Sequence, residues 1–412
     1  MRKPTFKSTI RVLTVFAAFF LSVRKGPSIK LFDILIVIIG FLIVMDPETK
    51  NLVKEFITRS RRIIFIFAAL IGFIVIAQCL SYARGTMIDA ETFKNYGRAI
   101  FNVYTLLIAG LIVVYDKKIL SALSWAIIAS PVLVLPAFWN FDDGVFIGGS
   151  RLAGLLQQPL IFGAWIMVVY LLGIAMILSS KKLWQKALLV AWLSVVANFI
   201  LWSAARAAWI ALAVSLLALT LILYRKGSVA KIGLILSAVV ITFSIGYSTL
   251  PSRVLKIKSL VSDRANNLTA SIVSLRPQNV AASVHLQSFS NAPAFIMHHP
   301  LGIGFGGSSK NITDVADQPV LANNSYLEVA MHGGIGAFLL FAFFLWEFGR
   351  GARNMIRSER SELKIIWLLA GFAFLIDIFF TQAFLWRHLW FVLGIGLGIT
   401  YRSSDETLAN SI

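Results

Sequence analysis

Hydrophobic positions in this chain come in long unbroken stretches, and short polar connections separate them. A hydrocarbon layer of ~30 Å takes ~20 helical residues to cross. Twelve stretches approach that length: 9–23, 29–45, 63–82, 99–115, 119–139, 160–179, 183–202, 207–224, 231–250, 326–348, 365–380 and 383–401. Continuity favours helices, since the strands of a membrane barrel would alternate. The pattern therefore predicts an all-α polytopic membrane protein of about 12 transmembrane helices, with one large extracytoplasmic loop containing short helices. Residues 1–250 carry helices one to nine, 251–325 form the loop, 326–402 carry helices ten to twelve, and 403–412 are a polar tail. Apolar pieces of the loop, Val280-Ala281-Ala282 and Phe295-Ile296-Met297, predict short helices resting on the membrane part.

Composition agrees. Of 412 residues, 58% are hydrophobic and 14% charged, far too apolar for a soluble enzyme of this length. A single cysteine, Cys79, excludes an intrachain disulfide. The first apolar run lacks a small-residue cleavage site, so it is expected to remain as a span. The formal charge of +19 raises the question of nucleic acid, but the basic residues cluster between apolar runs, where topology alone would put them. No nucleic-acid partner is expected. With the N-terminus inside, the cytoplasmic side holds 23 Lys and Arg against 15 outside, six of those in the long loop. Long loops cross largely regardless of charge, so both termini are expected to be cytoplasmic and the loop outside.

Two arginines on the sparsely charged outer side sit in patterned settings: Arg151-Leu152-Ala153-Gly154 before Pro159, and Ser203-Ala204-Ala205-Arg206 between spans seven and eight. A guanidinium grips phosphate oxygens in pairs, and small neighbours would admit a diphosphate. The plainer reading is an arginine that snorkels to the interface and anchors a helix end. The run His299-Pro300-Leu301-Gly302-Ile303-Gly304-Phe305-Gly306 has no strand before it and no Gly-Lys-Ser/Thr ending, so it is not a nucleotide loop. It predicts a tight turn with glycines at positive φ. None of the five histidines has zinc-helix spacing, so neither metal nor other cofactor is expected. His332, ahead of two glycines, and His388 read as packing residues. Asp33, Glu347 and Asp377 fall inside spans. For Asp377, with Arg387 nearby in sequence, an acid–arginine lock is the economical reading.

In their order and sidedness these motifs resemble the O-antigen ligase and O-antigen polymerase superfamily of bacterial envelope enzymes. The resemblance rests on the Arg-x-x-Gly…Pro and Ser-x-x-Arg patterns, the Pro-Leu-x-Gly-x-Gly run and Asn323-Asn324-Ser325-Tyr326-Leu327. It implies that Arg151 and Arg206 hold the diphosphate of an undecaprenyl-diphosphate-linked glycan donor. It further implies that His299, Pro300, Gly302, Gly304 and Gly306 build the loop beside the active segment. The chain departs from the family at two places. Asn323 stands where the family has an essential histidine, and asparagine cannot take a proton at neutral pH. His285 stands where the family has a loop arginine. The general base is accordingly His285 or Glu328, with Asp314 and Asp317 as further carboxylates, and Asn323 positions a substrate.

What the resemblance implies is an inverting, metal-independent glycosyl transfer at the periplasmic face of a bacterial inner membrane, to a glycan or lipid A-core acceptor. Variation among polymerases at the Asn323 position tilts the expectation to polymerase over ligase. Two other classes compete: a lipid-glycan transporter, which should show symmetric halves, and a glycan-binding protein that has lost catalysis.

Overall fold

The computed structural model describes residues 6–21, 31–85, 89–116, 118–135, 146–147, 151–156, 158–248, 292–305, 324–359 and 361–409. Helices dominate. In chain order they are α1 (Phe6–Phe20), α2 (Leu31–Met45), α3 (Lys50–Ala83), α4 (Ala90–Tyr115), α5 (Ile119–Ala129), α6 (Pro159–Ser179), α7 (Leu183–Ser203), α8 (Arg206–Arg225), α9 (Val229–Ser248), α10 (Ser325–Ser358), α11 (Glu362–Asp377) and α12 (Arg387–Ala409). One falls on each apolar run of the sequence. Seven are long and apolar enough to cross a membrane: α3, α4, α6, α7, α8, α9 and α10.

Helix limits differ from the apolar runs where polar turns continue the helix. The α3 helix begins at Lys50, more than three turns before its apolar run, because the Lys/Glu/Arg-rich residues 50–62 are good helix formers even where no lipid is needed. The α10 helix likewise runs on to Ser358. Pro131 acts the other way: α5 ends at Ala129 and tightens into a 3₁₀ turn, Ser130–Val134. The all-α architecture carries one small addition, a two-residue antiparallel ladder of β1 (Phe146–Ile147) and β2 (Arg151–Leu152) that pairs Ile147 with Arg151.

The α6 helix is the axis. It is apolar all round, and every residue from Ile161 to Ile177 is buried, as expected of a helix inside a bundle. Helices α5, α7, α8, α9 and α11 pack around it. Gly163 abuts Ser203 and Ala205, and Gly173 abuts Leu193, so α7 runs antiparallel to α6. Outer helices turn apolar residues away from the bundle, such as Leu217 and Leu221 on α8 and Val240 on α9. Those faces suit lipid.

The tightest seam joins α4 to α12, which run parallel. A Cβ on Gly394 would come 2.3 Å from the Leu106 carbonyl oxygen, and one on Gly398 would come 2.4 Å from that of Gly110. Glycines here let two backbones touch, the small-residue packing used between helices in lipid. Further ties collect the helix ends. Arg11 pairs with Asp116 at the end of α4, its Nη2 2.8 Å from Oδ1. His388 Nε2–H donates to the Leu21 carbonyl at 2.9 Å, and its ring lies 5.2 Å from that of Trp165. The acid–arginine lock exists with a different acid: Arg387 pairs with Asp33 of α2 at 2.8 Å, while Asp377 takes the hydroxyl of Thr381. Sequence proximity misled, because residues 378–386 leave α11 and carry Arg387 toward α2 instead.

Gly394→Ala is expected to overpack the α4–α12 seam and cost about 1–3 kcal/mol. A lower thermal midpoint of the purified protein in detergent checks it; an unchanged midpoint would mean the seam is looser than described.

Candidate functional site

One end of the bundle gathers the chemistry. The first turns of α6, α8, α10 and α12 meet the last turns of α3, α7 and α11 there, as the contacts of Gly163 with Ala205, Gly333 with Ile74 and Trp165 with His388 require.

The α7–α8 connection is two residues long. Ala204 makes the reversal at φ +48°, ψ +33°, the one described non-glycine residue at positive φ. Such a conformation costs an L-residue roughly 1–2 kcal/mol. It persists because the turn is fixed from several directions. Ser203 Oγ donates to the Ile200 carbonyl at 2.8 Å and accepts from the Ala205 N–H at 3.3 Å, and Trp209 Nε1 donates to the same Ile200 carbonyl at 3.1 Å. Arg206 follows as the first residue of α8, half-buried, with no ion pair or hydrogen bond among the described residues. A cation there opposes the helix dipole by ~0.3–1 kcal/mol, so α8 itself does not call for it. The unpaired N–H groups of that first turn and the guanidinium together make a site for an anion. The β2 strand, which includes Arg151, packs against α6 and α7, with Leu152 and Ala153 fully buried. The side chain of Arg151 lies outside the described residues.

The second part is built on a broken helix. Gly334 of α10 sits at φ +71°, ψ −169°, far from helical. The break strands carbonyls and N–H groups that a membrane interior cannot leave unpaired. Loop residues 300–304 supply the partners. Ile303 N–H donates to the Met331 carbonyl at 3.0 Å, Gly304 N–H to the His332 carbonyl at 2.8 Å, and Ile335 N–H to the Pro300 carbonyl at 3.0 Å. His332 closes the exchange, its Nδ1–H donating to the Gly304 carbonyl at 2.8 Å. Gly302 and Gly304 have φ of +81° and +73°. Added Cβ atoms would strike the His332 carbonyl oxygen at 2.5 Å from Gly302 and Gln78 of α3 at 2.4 Å from Gly304. His299 donates its N–H to Phe295 at the end of the helical residues 292–298, whose Phe295 packs with Ile303 and Met331.

The start of α10 is fastened to the α11–α12 connection. Asn324 caps it: Oδ1 accepts from the N–H of Tyr326 at 2.8 Å and of Leu327 at 3.2 Å, while Nδ2 donates to the Phe379 carbonyl at 2.8 Å. Ser325 Oγ donates to the Thr381 carbonyl at 2.8 Å and accepts the Ala383 N–H at 2.6 Å. Glu328 lies one turn in, near Ser325 and the Phe384 amide, and its Oε2 is buried without a hydrogen-bond partner among the described residues.

The structure thus brings His299, Pro300, Gly302 and Gly304 together around the α10 break, with Glu328 upstream on the same helix against the α11–α12 connection. Arg206 sits on α8 at the same end of the bundle, and no hydrogen bond or ion pair among the described residues joins it to Glu328. His285, Asn323 and Gly306 lie outside the described residues, as do Asp314 and Asp317. Reasoning from sequence overlooked Asn324 and Ser325 as the residues that fix the start of α10, although asparagine ahead of an apolar helix is a capping signal.

Residues 191–342 match the family model Wzy_C, described as O-Antigen ligase. Over that stretch the chain is similar to the O-antigen ligase family. The match runs from within α7, through Arg206 and the glycine run, past the α10 break, and leaves Arg151 outside. It supports the O-antigen ligase and polymerase superfamily, whose members are enzymes of the glycosyltransferase and ligase type. The seven long apolar helices among the described residues fit a membrane protein. No curated protein and no solved structure matches it.

Asn324→Ala should remove the cap of α10 and its tie to Phe379, at a cost of about 1 kcal/mol or more. Asn324→Asp should keep the cap but place a carboxylate against the Phe379 carbonyl. Both are expected to raise amide exchange at residues 325–330; protection equal to the parent protein would count against this description.

Proposed function

We propose that the protein is a metal-independent membrane glycosyltransferase that polymerises an undecaprenyl-diphosphate-linked oligosaccharide at the periplasmic face of a bacterial inner membrane, with both termini cytoplasmic. The observation that carries the reading is Arg206, a half-buried cation without a partner among the described residues, held at a helix N-terminus by a turn that accepts backbone strain to put it there. That is a resting site for a diphosphate, and Arg151, on the strand beside α6 and α7, is assigned as its second clamp.

In this mechanism a hydroxyl of the acceptor glycan attacks the anomeric carbon of the donor. The new C–O bond forms as the bond to the diphosphate breaks, with inversion. Glu328 takes the hydroxyl proton, and the charge left on the lipid diphosphate is met by the arginines and the α8 N–H groups. No metal is required for that. Glu328 suits the part because its Oε2 has no competing hydrogen bond among the described residues and its backbone is fixed by the Asn324 cap. Asn323, next in the chain to that cap, is assigned to hold a substrate hydroxyl, which asparagine does without exchanging a proton. An acceptor that is another lipid-linked chain makes the enzyme a polymerase; lipid A-core as acceptor would make it a ligase.

Arg206→Ala should lower transfer by about 10²–10³-fold with the protein still in the membrane, and Arg206→Lys should recover only part, since the ammonium lacks the planar fork. Normal product from Arg206→Ala would return the residue to anchoring the helix. Glu328→Gln is expected to cost ~10²-fold or more in rate. If Glu328→Gln works normally and His285→Ala does not, the base is His285. Gels of surface and lipid-linked glycans from a strain lacking the protein separate the acceptors. A ladder collapsed to core carrying one repeat marks a polymerase, and polymer stranded on the lipid carrier above bare core marks a ligase.

A further inference from the structure

Apart from the Arg206 and Glu328 regions, the first turns of α2, α4 and α12 enclose a cavity of about 470 Å³, a size typical of small-ligand sites at ~300–1,000 Å³. One wall is apolar and open to the outside of the bundle: Ile34, Val37 and Ile38 of α2 are 47, 50 and 41% exposed. The rim is basic, with Lys94 and Arg98 on α4 and Arg387 at the start of α12. Each cation has an acid beside it. Lys94 and Arg98 share Glu91 at 3.0 and 3.1 Å, and Arg387 holds Asp33 at 2.8 Å with its guanidinium 5.8 Å from the centre of the Phe101 ring.

Among the described residues of this rim, three cations against two carboxylates leave one positive charge, and the starts of three helices add to it. An apolar slot ending in a weakly positive rim is complementary to an amphiphile with a singly charged head. We propose that this cavity binds one anionic phospholipid of the surrounding bilayer, its phosphodiester at Lys94, Arg98 and Arg387 and one acyl chain along Ile34, Val37 and Ile38. The charge count favours a phosphodiester over the diphosphate of a glycan carrier, whose greater charge the rim would leave unbalanced. Glu91 is more than half exposed, so its pairs contribute little; Lys94 can turn to a phosphate, and Arg98 does so by giving up Glu91 and Asn95 Oδ1. Arg387, the least exposed of the three, keeps Asp33 and forms the fixed wall. The proposal stands independently of the transfer reaction assigned above.

Gly97 provides the test. It lines the cavity between Lys94 and Arg98, and a Cβ built on it meets nothing within 4 Å. Gly97→Leu therefore fills the slot while improving helix propensity. The full chain, purified and delipidated in detergent, is titrated with dioleoyl phosphatidylglycerol, dioleoyl phosphatidylcholine or undecaprenyl diphosphate and read by native mass spectrometry. One phosphatidylglycerol per chain is expected, with phosphatidylcholine at least about tenfold weaker. Arg98→Gln should weaken phosphatidylglycerol about tenfold, and Gly97→Leu should abolish the adduct at a thermal midpoint no lower than the parent's. Equal binding of the two phospholipids would overturn the proposal, as would an adduct that survives both substitutions. So would displacement of phosphatidylglycerol by undecaprenyl diphosphate, which would give the cavity to the glycan carrier.

Discussion

A backbone placed in hydrocarbon must find every hydrogen bond inside the protein, and the break at Gly334 is where this chain meets that demand most visibly. The loop at 300–304 does not merely pass near α10. It takes over the hydrogen bonds that the helix gives up, so helix and loop exist in that form only together. Three positive-φ glycines make the exchange sterically possible, and His332 holds it on one side. Residues 300–304 are thereby positioned by backbone chemistry, not by side-chain packing alone.

Around that assembly the bundle works as a rigid holder. With α6 buried on all sides and α4 in backbone contact with α12, the ends of distant helices are fixed relative to one another. Arg206 and Glu328 come from helices far apart in sequence, yet each sits on a short, over-determined feature: a two-residue turn for one, a capped first turn for the other. Groups on element ends braced in this way hold position better than groups on free loops.

Much of this was legible in the sequence, for physical reasons. Apolar runs as long as a bilayer is thick find their helices, because length and continuity are strong signals. The helix limits were less legible. Residues 50–62 are helical without being apolar, and hydropathy is silent about them. Arg206 stood out because an arginine on a sparsely charged side needs a reason. The partner of Arg387 did not, since nearness in sequence pointed to Asp377 and three-dimensional packing chose Asp33. The division of labour among Asn323, Asn324 and Ser325 was hidden too: neighbours in the chain look alike until one is seen to cap the helix and the next to tie it to Thr381 and Ala383.

The turn at Ala204 also bears on how the protein is made. The two-residue link makes α7 and α8 a tight hairpin whose joined ends stay together at every stage of insertion. In the proposed orientation the tip of that hairpin must traverse the hydrocarbon with Arg206 aboard, against a penalty of ~2.5–3.5 kcal/mol for arginine at mid-membrane on insertion scales. The apolar length of the two arms, each long enough to cross the bilayer, provides the pull. The hydrophobicity of α7 and α8 is thus set by the delivery of a charge as well as by residence in lipid.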